Sequence, residues 1–147
     1  MSRRDCLTWL ARAAAIPLAA EVCARAHAAG AVANLTSFPN ESARLLDKPE
    51  AILTRTRAGV ACLSAYCTHR RNKLDVAKDG TISCPIHNSQ FDHAGVPIGG
   101  PATRPLPWYS AHVSEDGDIT VDTSQTVAQG TWAPLPDWAK PKASTRK

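Results

Sequence analysis

A chain of 147 residues that is 44% hydrophobic and 20% charged can bury a core, which excludes the low-hydropathy, high-charge class of disordered chains. It suffices for one ordinary domain and leaves no room for a second core once a leader is subtracted, so a single site is expected. The formal net charge of +4 falls to +2 over residues 29–147, with 13 Lys and Arg against 11 Asp and Glu, too small an excess to argue for nucleic acid or anionic lipid as a partner.

Residues 1–28 differ in character from the rest. Ser2-Arg3-Arg4-Asp5-Cys6-Leu7 precedes the Ala-rich stretch 13–20 and then Ala26-His27-Ala28. This resembles a twin-arginine export signal with a small-x-small cleavage site, with Cys6 where such a motif usually has Phe. An ordinary amphipathic N-terminal helix is the alternative. The longest uncharged run falls far short of the ~20 apolar residues of a membrane span, so no permanent anchor is expected. Cys23 follows the bulky Val22, where a lipoprotein site wants a small residue. The expected organisation is a helical leader over 1–28, one domain over 29–123 and a tail over 124–147.

Eleven Pro and eight Gly against few aromatics suggest short strands joined by turns. Residues 31–38 alternate loosely and predict a first strand, and 39–49 are polar and turn-rich. Residues 51–57 and 60–66 flank Ala58-Gly59 and predict a hairpin with its turn there, whose second strand leads into Cys67. Residues 74–77 and 81–83 flank Lys78-Asp79-Gly80 and predict a second hairpin that ends at Cys84. A third is predicted from 108–113 and 119–122 around Glu115-Asp116-Gly117. Helical periodicity is confined to the leader. The fold class is therefore all-β, a small antiparallel sandwich or barrel with two loops side by side at one end. The tail, with Trp132, Pro134, Pro136 and Trp138, shows neither period. It either packs back on its own domain or straps a partner subunit.

The two loops read Cys67-Thr68-His69 and Cys84-Pro85-Ile86-His87, with fourteen residues between them. Each supplies one thiolate and one imidazole. Structural zinc takes such a set tetrahedrally, usually with Cys pairs and His pairs kept separate. The alternation here is wrong for that pattern. It suits a centre in which one iron takes two Cys and the other two His, each loop serving both.

The second loop continues as Cys84-Pro-Ile-His-Asn-Ser-Gln-Phe-Asp92 to Gly95, then Gly99-Gly-Pro-Ala-Thr-Arg-Pro-Leu-Pro107. Across residues 60–122 the chain resembles the Rieske 2Fe-2S family, including periplasmic Rieske subunits of the arsenite oxidase kind and Rieske ferredoxins. The resemblance implies a 2Fe-2S cluster held by Cys67, His69, Cys84 and His87, with the Gly-Pro-Ala-x-x-Pro-Leu stretch as the proline loop covering it. Two neutral imidazoles in place of two thiolates make an added electron easier to accept, which lifts the potential to ~−150 to +300 mV against ~−400 mV for an all-Cys plant-type cluster. Their protons couple to that electron, so His69 and His87 are the expected solvent-facing pair.

Ser89 matches the Ser whose hydroxyl, in high-potential members, bonds a bridging sulfide. Phe91 stands where the highest-potential members have Tyr, so an intermediate to moderately high potential is expected. Members from cytochrome bc complexes brace the two loops with a disulfide, and Asn72 and Ile86 occupy those positions here. Cys62 reads as a small buried hydrophobe, and His93 and His112 as ordinary surface or satisfied side chains.

The expected function is one-electron transfer in the periplasm, as small subunit or partner of a catalytic oxidoreductase such as a molybdenum enzyme, with a c-type cytochrome or copper protein on the other side. The twin-arginine route carries folded proteins, and a cluster must be inserted before export, so leader and cluster fit together. The alternatives are the Rieske subunit of a quinol-oxidising cytochrome complex and a soluble ferredoxin of a ring-hydroxylating oxygenase. No nucleophile-base pair or nucleotide-binding glycine loop points to catalysis by the chain alone.

Overall fold

The computed structural model describes residues 30–141; the leader expected over 1–28 and residues 142–147 lie outside them. Within that range the chain forms ten strands and two short 3-10 turns, without an α-helix. The strands are β1 (Ala33–Asn34), β2 (Ser42–Leu46), β3 (Ala51–Thr56), β4 (Gly59–Ser64), β5 (Asp75–Val76), β6 (Ile82–Ser83), β7 (Gln90–Phe91), β8 (Pro97–Gly99), β9 (Trp108–Val113) and β10 (Asp118–Val127). They make a six-stranded sheet in the order β1-β10-β9-β4-β3-β2 and a four-stranded sheet in the order β5-β6-β7-β8. Every pairing is antiparallel. This is the all-β class that the sequence predicts.

The β3–β4 hairpin is the centre of the larger sheet and is buried on both faces. Ile52, Ala61 and Leu63 face one core, which also holds Cys67, Cys84, Ile82, Phe91 and Leu106. Ala51, Leu53, Val60 and Cys62 face a second core with Leu35, Phe38, Ile119 and Leu135. Burial on both faces is why these two segments read as continuous apolar runs and not as alternating ones. Arg55 nonetheless sits in β3, only 8% exposed. Its Nη1 donates to the carbonyls of Leu35, at 2.7 Å, and Phe38, and so ties down the 3-10 turn Leu35–Ser37. That turn replaces most of the first strand expected over 31–38. The segment expected to be a polar connection contributes β2, whose partner is β3.

Two further differences come from the tail. Thr56 pairs with Gly59, so the hairpin turn is Arg57-Ala58, one residue earlier than expected. Gly59 has φ +144°, and a Cβ there would sit 2.3 Å from the Ala133 carbonyl oxygen. The glycine is thus required for the close approach of the tail, which bonds Val60 through both its N–H and its C=O at Ala133. Likewise β10 runs on to Val127, beyond the expected end at residue 122 and the boundary at 123. A register shift between Asp122 and Thr126, closed by the Asp122 carboxylate on the Ser124 N–H and hydroxyl, imitates a turn in the sequence. The tail then packs on its own domain: Trp132 stands edge-on to Trp108 with ring centroids 4.9 Å apart, and Trp138 donates to the Glu115 carbonyl at 2.8 Å.

Trp108 joins β9, the tail and the β7–β8 turn, since it is 2% exposed and its Nε1 donates to the Ala94 carbonyl at 3.0 Å. Trp108→Ala is expected to cost about 3–5 kcal/mol, the range for emptying such a core position, read as a lower urea midpoint at unchanged slope. A loss below about 1 kcal/mol would mean that the core holding Cys67 and Cys84 does not depend on it.

Candidate metal centre

The smaller sheet and the end of β4 present two loops with the same backbone. Loop one, residues 67–72, closes at the Tyr66–Lys73 bridge, and loop two, residues 84–89, closes at the Ser83–Gln90 pair of β6 and β7. In each, the Cys N–H donates to the carbonyl five residues on, Cys67 to Asn72 and Cys84 to Ser89, both at 2.8 Å. In each, the Cys carbonyl accepts from the N–H four residues on, Arg71 at 2.8 Å and Asn88 at 2.9 Å. The residue at that fourth place has a positive φ in both, 57° for Arg71 and 55° for Asn88, so each loop turns back through a left-handed residue despite its side chain. Two six-residue loops with matching backbone hydrogen bonds therefore bring their Cys residues into one core. Their His positions differ by one residue, the second place in loop one and the third in loop two.

This arrangement separates thiols from imidazoles. Cys67 and Cys84 are each 1% exposed and belong to the apolar core. His87 is exposed and His69 half-buried; their rings meet edge-on with centroids 4.9 Å apart. His69 Nδ1 is buried without a hydrogen-bond partner. An orphaned ring nitrogen beside a second imidazole costs free energy unless a metal or donor engages it.

The donors also fit two metals better than one. Structural zinc gathers four donors round a point. Here the thiols lie in the core and the imidazoles towards solvent, as a two-iron cluster with one pair on each iron takes them.

A third segment clamps both loops. The Ala102 N–H donates to Ser89 Oγ at 3.1 Å, and the Thr68 hydroxyl donates to the Arg104 carbonyl at 2.7 Å. The Leu106 N–H donates to the Gly95 carbonyl at 2.9 Å. Ser89 is fully buried, and as acceptor from Ala102 it keeps its own O–H to donate. Thr68 was not singled out by sequence reasoning, although its place between Cys67 and His69 marks it as part of the loop. The other sequence-level candidates fall outside the loops. His112 lies on β9 opposite Thr120. His93 lies half-buried in the β7–β8 turn, with Nε2 buried without a hydrogen-bond partner and close to Gly80. Burial pushes the Cys62 thiol up to about 12, which leaves it protonated and unreactive at neutral pH.

The Rieske [2Fe-2S] domain matches residues 26–110, more than half of the chain. The chain belongs to the Rieske family. Its cofactor is accordingly a Rieske-type 2Fe-2S cluster and its chemistry is electron transfer. The chain is 43% identical over 63 residues to the cytochrome bc1 complex Rieske iron-sulfur subunit of Corynebacterium efficiens, covering 40% of this chain and 15% of that protein. It is 37% identical over 62 residues to a putative respiratory nitrate reductase Rieske subunit of Haloferax mediterranei, covering 41% of this chain and 28% of that one. The Rieske match thus spans less than a third of either relative. The cyanobacterial plasma-membrane Rieske protein of Synechocystis PCC 6803 superposes with a TM-score of 0.51 at 24% identity, over 63% of this chain and 98% of that one, a likeness of fold. In the two loops Asn72 is half-buried and Ile86 is 61% exposed.

Proposed function

We propose that Cys67 and Cys84 ligate one iron and His69 and His87 the other, and that the chain relays single electrons in the periplasm. It would serve as small subunit or partner of an oxidoreductase, with a c-type cytochrome or copper protein as the other partner. The observation that carries this reading is the pair of matched loops, with both thiols buried in the core and the exposed His87 ring edge-on to the half-buried His69. When bound, the cluster supplies a one-electron couple; the chain's own residues hold it, exclude water and set its polarity. The exposed His87 beside His69 gives electrons and their coupled protons the shortest way in, while both Cys lie in the apolar core with Leu63, Phe91 and Leu106. Among the described residues no helix is long and apolar enough to cross a membrane, and the twin-arginine reading of residues 1–28 supports export.

A quinol-oxidising cytochrome complex is the second reading, favoured by the bc1 relative and weakened by Asn72 and Ile86 in place of the bracing Cys pair. A redox titration of the purified protein across pH, with electron paramagnetic resonance of the reduced state, tests the proposal. It expects a positive potential that falls at alkaline pH. A pH-independent potential would overturn the His ligation, and a value near ~−150 mV would favour an oxygenase ferredoxin.

Ser89→Ala separates the polar and steric roles of the loop. A hydrogen bond to a charged group is worth about 1.5–3 kcal/mol, and a tenfold change for one electron is about 59 mV; only the part of the bond gained on reduction moves the potential, so a fall of up to roughly 60–130 mV is expected. The Ala102 N–H also loses its acceptor, at a cost of about 1–3 kcal/mol in stability. A potential that does not move would remove Ser89 from the cluster's hydrogen bonding.

A further inference from the structure

Behind loop one lies a cleft of about 400 Å³ whose wall includes Tyr66, Cys67, Thr68, Arg71, Arg104 and Tyr109. Two of these are cations from different segments, Arg71 from loop one and Arg104 from the proline loop. The Thr68 hydroxyl on the Arg104 carbonyl holds those segments together, so both walls of the cleft are fixed. Neither guanidinium is ion-paired among the described residues. The nearby carboxylate is already neutralised: Glu50 bonds Lys73 at 2.8 Å and the Tyr66 hydroxyl. Those contacts, Lys73 first, hold Glu50 below the usual carboxylate range. The cleft thus carries two uncompensated cations, with aromatic and proline walls and a cluster ligand at its side.

We propose that this cleft is a binding site for a small oxyanion, a carboxylate or tetrahedral oxyanion taken between Arg71 and Arg104, and that its occupancy is coupled to the redox state of the cluster. Guanidinium groups match both oxyanion shapes bidentately, and Tyr109 and the prolines accommodate an apolar body. The coupling follows from charge. Reduction adds one electron and no bond is made or broken; the extra negative charge would fall on the cluster that Cys67 would hold, and Cys67 also lines the cleft, so an anion there binds the oxidised protein more tightly. By linkage the bound anion lowers the reduction potential. The redox part rests on the proposed cluster ligation, whereas the binding part does not.

The test is calorimetric titration of the oxidised holoprotein with sodium sulfate and, separately, sodium benzoate at constant ionic strength. Saturable one-site binding of at least one anion is expected. Arg71→Gln and Arg104→Gln are each expected to weaken it tenfold or more, while Arg70→Gln, beside Arg71 but outside the cleft wall, retains it. Benzoate alone would assign an organic carboxylate, and sulfate alone an inorganic oxyanion. No saturable binding of either, or an equal loss in Arg70→Gln, would overturn the site. Redox titration with the bound anion is expected to show up to tenfold preference for the oxidised form, a fall of about 59 mV at saturation for one electron. A constant potential despite binding would overturn the coupling. A wild-type protein without the reduced-cluster resonance signal would instead refute the cluster ligation, with the calorimetric result still deciding the site.

Discussion

His87→Cys is expected to lower the reduction potential by roughly 100–300 mV, part of the gap between clusters with two His ligands and all-Cys clusters, and to weaken its alkaline pH dependence. The physical cause is charge: a thiolate in place of a neutral imidazole makes the oxidised centre one unit more negative, so the next electron is harder to add. It also removes one of the two rings able to give up a proton as the electron leaves. His87 suits the substitution because it is exposed, and the backbone of its loop is held by the Cys84 N–H on Ser89 and the Asn88 N–H on Cys84, neither of which uses the His87 side chain. Stability of the fold should change little. Redox titration across pH with the resonance spectrum of the reduced protein checks it. An unchanged titration curve with intact cluster signal would mean that His87 is not a ligand, and the edge-on His69–His87 pair would then have to be explained as packing alone.

How much of this was legible in the sequence depends on whether a residue's role was local. The Cys-x-His and Cys-x-x-His spacings, the strands leading into them and the Gly-Pro-Ala stretch are all short-range patterns, and the structure places these segments together. The Asp79-Gly80 hairpin is of the same kind: β5 and β6 pair across it, and the Asp79 carboxylate accepts from the Thr81 N–H at 3.0 Å. What escaped was set by distant neighbours. Gly59 looked like a turn glycine because nothing nearby in sequence reveals that Ala133 crosses it. β2 was missed because only pairing with β3 makes a strand of Ser42–Leu46. β7 and β8 are two and three residues long, too short to show a period, and exist through the register that brings Gln90 opposite both Ser83 and Gly99. The shared backbone of the two loops was hidden for another reason: His69 and His87 sit at different offsets from their Cys, so the sequences do not align although the hydrogen bonds do.

Gly100→Ala is expected to damage the site more than any other substitution outside the four proposed ligands. Gly100 has φ +79°, which L side chains rarely adopt, and a Cβ there would lie 2.5 Å from the Asn88 carbonyl oxygen, 2.5 Å from Ser89 Cα and 2.7 Å from Ser89 N. All three obstacles are backbone atoms of loop two, so no side chain can swing aside. Either the proline loop lifts or loop two yields. If the proline loop lifts, the 3.1 Å bond from Ala102 to Ser89 breaks first, since Ala102 is two residues away. Water then reaches Cys84 and the hydroxyl proposed to tune the potential. The backbone strain alone is of order 1–3 kcal/mol, and the unpaired Ala102 amide adds about 1–3 kcal/mol if it remains buried. The expected result is a protein that folds with reduced stability, loses iron and absorbance severalfold faster under a chelator, and has a lower potential, as Ser89→Ala does, but with faster cluster loss. Thr103→Ala, in the same exposed stretch without these contacts, provides the comparison and should leave all three properties unchanged. Wild-type cluster retention in Gly100→Ala would show that the proline loop can rise without exposing the centre, and would move the sealing role to Leu106 and the core beneath it.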